Sequence, residues 1–145
     1  MESSTLWRDT AREMSEENVE IVRRSIDAFN RGDLDAALAD LHPEAEVVDD
    51  PRVPGGQTIR GRPEIERYFK SLSRYWESVR LVPERFVDRG NDVFVLARMI
   101  ARTQRGGPEV ERSLDQMVTL RNGKFIRDRV FSSRKDALEA VGLRE

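Results

Sequence analysis

The stretch "VTLRNGKFIRDRVF", residues 118–131, contains the clearest indication of the fold. Two runs rich in β-branched and aromatic residues flank Asn122-Gly123. Asn-Gly between two such runs is the preferred sequence for a two-residue turn that joins antiparallel strands. The stretch therefore predicts a β-hairpin.

Three further segments upstream share the strand pattern. They are "VRLVPERFVD" (79–88), "DVFVLARMIARTQ" (92–104) and "EVERSLDQMVTLR" (109–121), and short "RGN" and "RGGP" connections separate them. Connections this short predict a meander of antiparallel hairpins. A short helix is expected after the last strand, over Arg134 to Val141, ending at Gly142.

The N-terminal half has helical periodicity instead. From Ser15, a predicted N-cap, apolar residues recur every three or four positions up to Phe29, and Gly32 breaks the pattern. Asp33 is expected to cap a second, short helix that carries Leu41 and stops at His42-Pro43. Residues 1–14 then form an extension and residues 15–145 form the domain.

A third helix is predicted to begin at Pro63. Its apolar side is expected to carry Ile65, Tyr68, Phe69, Leu72 and Trp76. Between the second and third helices, "AEVVD" (45–49) is typical of a strand and "TIRG" (58–61) is its expected partner. Helices first and antiparallel strands afterwards indicate the α+β class, with the helices folded against one face of the sheet.

Composition limits the function. The chain has 145 residues, 27 acidic against 25 basic side chains, one histidine and no cysteine. No segment concentrates positive charge, so nucleic acid is excluded as an expected partner. Without cysteine and with one histidine, neither thiolate chemistry nor a metal site is expected, and no segment has the length of a membrane span. We expect a cytoplasmic protein that uses no cofactor.

Three segments resemble one family. They are "ENVEIVRRSIDAFNRGDLDAALADLHPEAEVVDDP", "IRGRPEIERYF" and "VTLRNGKFIRDRVFSSRKDALEAVGL". They resemble the SnoaL-like branch of the nuclear-transport-factor-2-like superfamily, which also includes ketosteroid isomerases and limonene epoxide hydrolases. The resemblance implies a cone with three N-terminal helices packed on a strongly curved, mostly antiparallel sheet. It also implies a pocket between helices and sheet and, often, a homodimer through the convex face.

Asp50 directly precedes Pro51, and two interpretations stay open. The pair can simply end a strand, because proline holds the preceding residue in an extended conformation. Alternatively, Asp50 is similar in position to the general base of ketosteroid isomerase, an Asp before a proline after the first strand. Asp49 would then face away from the pocket, because successive strand residues alternate between faces.

Asp115 resembles in position a second ketosteroid isomerase residue, a protonated Asp that donates a hydrogen bond to the developing enolate. A register one residue different turns Gln116 inward instead. The set Leu114, Gln116, Val118 and Leu120 is the more apolar of the two, which favours burial of that face. Ser25 stands where the family's oxyanion-stabilising tyrosine would lie.

Asp128 lies between Ile126 and Val130 on one face of the last strand. A carboxylate between apolar neighbours is unfavourable unless it is paired or functional. The stretch "IRDRVF" resembles the last-strand Arg-Asp of limonene epoxide hydrolases, and polyketide cyclases of the SnoaL type are thought to use a late-strand Asp as acid and base. The alternative is a salt bridge between Asp128 and an arginine across the sheet.

Two classes of function remain. The first is a cofactor-independent enzyme of the isomerase, cyclase or hydratase type that acts on an apolar, carbonyl-bearing small molecule, with Asp50, Asp115 and Asp128 as catalytic candidates. The second is a non-catalytic ligand-binding or dimerisation module of the same fold. The candidate substrate contacts are Tyr68, Trp76, Met99 and Met117. A homodimer is expected because Val118, Leu120 and Phe131 would make the convex face too apolar to leave in water.

Overall fold

The computed structural model describes residues 2–49, 58–131 and 133–142, with residues 2–15 as helix backbone. The helices in this part of the chain are α1 (Glu2–Asn30), α2 (Leu34–Ala37), α3 (Arg62–Ser71) and α4 (Arg134–Val141), and a 3-10 turn (Leu72–Arg74) follows α3. The strands are β1 (Leu41–Val48), β2 (Thr58–Arg60), β3 (Trp76–Arg89), β4 (Asp92–Thr103), β5 (Glu109–Ser113), β6 (Asp115–Arg121) and β7 (Lys124–Phe131). The order confirms the α+β class.

Helix α1 packs on the sheet through one apolar stripe. Ile21, Val22 and Ile26 are buried against the sheet, and each such side chain contributes roughly 1.5–3 kcal/mol when fully buried. The helix ends near Gly32, as predicted, where the Asp33 N–H donates to the Ala28 carbonyl. The predicted start at Ser15 is wrong, because α1 runs through that position from Glu2.

Helix α2 is a single capped turn. The Asp33 carboxylate accepts from the Ala36 N–H at 3.1 Å, which confirms the predicted N-cap. The helix is shorter than expected, because Leu41 and His42 belong to β1 instead. The reason is tertiary: Leu41 pairs with Phe125 of β7, and a strand partner outweighs the local helical pattern.

Helix α3 begins as predicted, with Pro63 in its first turn. It buries Ile65 against Leu38, Leu41 and Ala45. Trp76 is not part of this helix, as it opens β3. The expected helical stripe is therefore correct up to Leu72, where the 3-10 turn begins.

The sheet is open, curved and mostly antiparallel, in the order β2-β1-β7-β6-β4-β3, with β5 also paired to β4. Only the β1–β7 pairing is parallel among the described strands. Asn122 and Gly123 have φ of 51° and 75°, which is the backbone of a type I′ turn and confirms the hairpin predicted there. The strand expected over residues 109–121 is split at Leu114, whose N–H donates to the Ala97 carbonyl.

The two faces of the sheet carry different helices. On the α1 face, Val93, Val95, Val118 and Leu120 pack against α1. On the α4 face, Phe94, Leu96 and Phe131 pack against Ala137 and Leu138 of α4.

The three N-terminal helices thus share one side of the curved sheet, as predicted, and α4 lies on the other. The expectation that all the helices would lie on one face is wrong for α4. Val118 and Leu120 are covered by α1 and Phe131 is covered by α4, so these residues do not form the exposed apolar dimer face predicted from the sequence. Within the described ranges, no helix has the combined length and apolar character needed to cross a membrane.

Candidate functional site

A partly enclosed cavity lies between α1, α3 and the α1 face of the sheet. Its volume is about 230 Å³, and most of its lining is apolar, including Phe29, Val47, Phe69, Leu81, Met99 and Val130. The polar lining comes from Asp49, Tyr68, Trp76, Arg112, Ser113, Gln116 and Asp128. A mainly apolar cavity with a few convergent polar groups is the usual form of a small-molecule site.

A second, larger concavity of about 730 Å³ runs along α3 and β2 and is open to solvent. Arg60, Glu64, Lys70 and Arg74 line it. The described residues that line this concavity are mainly charged surface side chains, and Asp128 is not among them. The smaller cavity contains Asp128, a buried carboxyl group that can take part in a reaction. We therefore take the smaller cavity as the candidate site.

Asp128 projects into the cavity from β7. The residue as a whole is half-buried, but its Oδ1 atom has no exposed surface and no hydrogen-bond partner among the described residues. Its Oδ2 atom accepts a hydrogen bond from Gln116 Nε2 at 2.9 Å. The expected alternative, a salt bridge between Asp128 and an arginine across the sheet, is absent from the described part of the chain.

Burial raises the pKa of Asp128 from 3.8 to about 7, because the charged form loses its hydration inside the cavity. The hydrogen bond from Gln116 acts in the opposite direction and lowers the pKa, since it stabilises the carboxylate. The balance leaves a carboxyl group that exchanges a proton near neutral pH. That property suits a general acid or base.

Asp115 lies outside this cavity. It is almost fully buried, and its carboxylate accepts from Arg134 Nε at 3.0 Å, from Arg134 Nη2 at 3.1 Å and from the Ala97 N–H at 3.1 Å. The inward orientation implied for Asp115 is thus not observed, and Gln116, the open alternative, takes the inward position. The physical reason is that the cation on α4 stabilises a carboxylate on the α4 face.

Three of the four predicted substrate contacts line the cavity. They are Tyr68, Trp76 and Met99. Met117 does not, because it points to the α4 face and packs against the cluster around Phe94.

Tyr68 is the one of these three contacts that carries a hydroxyl group. It leaves 39% of its surface exposed, yet its phenol group is withdrawn from water enough for burial to raise the pKa above 10. The nearby carboxylates Asp49 and Asp128 raise the pKa further, and Arg112 lowers it. At neutral pH the phenol therefore stays protonated and available as a hydrogen-bond donor.

Asp50 and Pro51 lie outside the described residues, so the role predicted for Asp50 is untested. Its neighbour Asp49 lines the cavity on the same face as Val47. The expectation that Asp49 faces away is wrong. The alternation from Val47 to Asp49 was visible in the sequence, but the orientation of the strand relative to the helices was not.

Arg112, Ser113 and Leu114 line the cavity from the junction of β5 and β6, and sequence reasoning did not identify them as site residues. One signal was present, because the apolar alternation through Gln116 and Leu114 reaches Arg112 when it is continued by one step. Ser25, at the position of the missing tyrosine, donates to the Ala37 carbonyl at 2.7 Å and is not part of the described cavity lining.

The family model described as a SnoaL-like domain matches residues 22–128. The match includes the last nine residues of α1, most of the cavity lining and Asp128, and the chain belongs to this family. No curated protein sequence matches the chain.

Solved structures share the fold. TerC, co-crystallised with polyporic acid, is 22% identical, with a TM-score of 0.73 over 87% of this chain and 98% of that chain. A protein of Catenulispora acidiphila with a ketosteroid isomerase-like fold, in complex with trimethylamine, is 18% identical, with a TM-score of 0.70 over 86% and 94%. A putative SnoaL-like polyketide cyclase from a Jannaschia species is 20% identical, with a TM-score of 0.70 over 91% and 96%.

Proposed function

We propose that the protein is a cofactor-independent acid/base enzyme, of the isomerase, cyclase or hydratase type, that acts on an apolar, carbonyl-bearing small molecule. Asp128 is the acid/base group. The observation that carries the proposal is the Asp128 Oδ1 atom, sealed from solvent and without a hydrogen-bond partner in the described structure, at the wall of an apolar cavity. A buried polar atom without a hydrogen bond destabilises the folded protein, and a role in function is one reason why such an atom is retained.

The proposed step is a proton transfer at the carbon beside a carbonyl group. The ionised Asp128 takes the proton from that carbon, and the electron pair of the broken C–H bond moves into the enolate. The neutral carboxylic acid then returns the proton, to another carbon in an isomerisation or to an oxygen after ring closure. A pKa near 7 suits both halves of this exchange, because the group neither holds nor releases its proton too strongly at neutral pH.

Two neighbours support the step. Gln116 holds Oδ2 and leaves Oδ1 without a hydrogen bond to the described protein. The protonated phenol of Tyr68, in the same cavity, is the proposed donor to the enolate oxygen. Removal of one preorganised donor of this kind typically lowers the rate by about 10²–10³-fold.

The prediction for Asp50 is kept as part of the proposal. Two carboxyl groups in one cavity would divide the work, with one ionised and the other neutral. The motif Asp50-Pro51 after the first strand supports it, through the resemblance to ketosteroid isomerases.

The oligomeric state and the cellular location are also proposals. The family resemblance supports a homodimer, and the composition supports a cytoplasmic location. Sedimentation at micromolar concentration tests the dimer, and a monomer there would contradict it. Polyporic acid, with which TerC was co-crystallised, is a reasonable first ligand to try.

The test is hydrogen exchange at carbon. A panel of apolar ketones is incubated with the protein in D₂O, and loss of the α-proton signal is followed by NMR. We expect Asp128→Asn to lower the exchange rate by roughly 100-fold or more, because Asn keeps the shape but cannot carry the proton. The matched control is Asp27→Asn, which removes an exposed carboxylate from α1 and should leave the rate unchanged.

The alternative is a binding module without catalysis. It predicts that ketones bind and that no exchange above the background rate occurs in the wild type. An equal rate in wild type and Asp128→Asn would likewise exclude Asp128 as the acid/base group.

A further inference from the structure

Arg112 on β5 differs from the two arginines of the adjacent strand β4. Arg98 forms an ion pair with Glu111, and Arg102 forms one with Glu109 at 3.1 Å. Arg112 has no ion-pair partner within the described residues. In the part of the chain that the structure describes, its guanidinium group is therefore a positive charge without a paired carboxylate.

The strand pairing directs Arg112 towards the cavity. In the β4–β5 ladder, Arg112 is opposite Met99, and residues directly opposite each other in antiparallel strands project to the same face. Met99 lines the cavity, and so does Arg112. Glu109 and Glu111 project to the opposite face of β5 from Arg112. Their ion pairs with Arg102 and Arg98 therefore form on that other face.

Arg112 is exposed, whereas Asp128 Oδ1 is sealed from solvent. The Arg112 guanidinium therefore lies at the opening of the cavity, and the Asp128 carboxyl group lies deeper in the protein. The positive charge of Arg112 also acts on the cavity. It lowers the pKa of the Tyr68 phenol, whereas Asp49 and Asp128 raise that pKa.

We infer that the cavity selects acidic substrates, with an apolar ring system inside and a carboxylate or comparable anionic oxygen at the opening beside Arg112. The inference rests on the proposed function in that it names the substrate class for the same cavity. Guanidinium is suited to this role, because its planar donors match the two oxygens of a carboxylate. A neutral carbonyl compound of the same shape would lack this contact.

The test uses a matched pair of probes, 2-naphthoate and 2-naphthamide, which share shape and differ in charge. Dissociation constants are measured by isothermal titration at pH 6, where Asp128 is mainly protonated, in 20 mM and 200 mM salt. We expect the wild type to bind naphthoate about three- to fivefold more tightly than naphthamide at low salt, the size typical of a solvent-exposed ion pair. The preference should shrink at high salt, because ions screen exposed charges.

Arg112→Met should abolish the preference, and Arg112→Glu should reverse it, while the affinity for naphthamide stays the same in both. The control variants are Arg102→Met and Arg102→Glu, which make the same charge changes on β4 outside the cavity lining. Both should retain the preference for naphthoate.

A wild type that binds both probes equally, or naphthoate not at all at millimolar concentration, would overturn the inference. A preference for naphthoate that survives in Arg112→Met would also overturn the inference. A loss of naphthamide affinity in that variant would do so too, because it would show that Arg112 shapes the cavity and does not recognise charge. These results are distinct from failure of the proposed function, because binding needs no catalysis. They can be repeated in the Asp128→Asn background.

Discussion

Gln116 Nε2 donates a hydrogen bond to Asp128 Oδ2 at 2.9 Å, and this contact joins β6 to β7 within the cavity. The register places Gln116 opposite Val130 and Val118 opposite Asp128, so the two polar residues are diagonal neighbours on one face. A carboxyl group held at one oxygen has little freedom to rotate. The other oxygen, Oδ1, is left without a hydrogen-bond partner among the described residues.

The first prediction concerns stability and pH. The folded pKa of Asp128, about 7, lies above its unfolded value of 3.8, so between these pH values the folded protein holds a proton that the unfolded chain has lost. The contribution of Asp128 to stability therefore falls as pH rises from about 4 to about 7. We expect Asp128→Asn to gain up to about 4 kcal/mol in unfolding free energy relative to wild type over this range.

Urea denaturation at pH 4, 6 and 8 measures this difference. Asp27→Asn is the control, because an exposed carboxylate should give a difference that hardly varies with pH. A constant difference between wild type and Asp128→Asn would contradict the raised pKa.

The second prediction concerns the pH dependence of turnover. Because the ionised form of Asp128 takes the proton, the exchange rate should rise with pH, with a midpoint near 7, and then level off. Gln116→Leu removes the hydrogen bond that lowers this pKa. The midpoint should move to higher pH, by up to about one unit.

Among the described residues, the other titratable groups that line the cavity are Asp49, Tyr68 and Arg112, and they are common to both proteins. A shift between the two profiles therefore reports the hydrogen bond. The profiles are measured from pH 5 to 9, and a midpoint that moves to lower pH in Gln116→Leu would contradict the assignment.

The third prediction separates Asp115 from catalysis. Arg134→Met leaves the buried Asp115 carboxylate without its cation, and we expect a loss of about 3 kcal/mol in unfolding free energy. Adding Asp115→Asn should restore part of this loss, since the neutral amide no longer needs the cation. Exchange at carbon, measured per folded molecule, should be unchanged in Asp115→Asn.

Arg98→Met is the comparison for stability, because its pair with Glu111 is half exposed and should be worth less than about 1 kcal/mol. Equal losses in Arg98→Met and Arg134→Met would contradict the buried ion pair. A large fall in exchange for Asp115→Asn would return Asp115 to the list of catalytic residues.

The fourth prediction concerns Asp50. Asp50→Asn should lower turnover by roughly 100-fold or more, with substrate binding largely preserved, because the amide keeps the shape but cannot exchange the proton. Asp49→Asn is made in parallel to separate the two neighbours. Unchanged turnover in Asp50→Asn would leave the residue with a structural role at the end of the strand.

Local signals in the sequence were sufficient for most elements. The turn at Asn122-Gly123, the cap at Asp33 and the C-terminal helix ending at Gly142 are confirmed. Each depends on side-chain chemistry within a few residues, such as the positive φ that Gly adopts freely or a carboxylate that accepts from the first turn. The alternation around Asp128 likewise indicated a carboxyl group among apolar neighbours.

Contacts between distant segments decided the rest. Leu41 became part of a strand because β7 offered it a partner more than 80 residues later in the chain. Asp115 is buried away from the cavity because Arg134 of α4 forms an ion pair with it on the other face of the sheet.

The division has a physical basis. The sequence by itself determined the α+β class, the hairpins and the alternation that sets Asp128 among apolar residues, because these follow from local backbone preferences and side-chain period. Only the tertiary structure decided which face of each strand α1 covers. That choice turned Gln116, Arg112 and Asp49 towards the cavity and Asp115 and Met117 away from it, because burial and ion pairing depend on segments that are far apart in sequence.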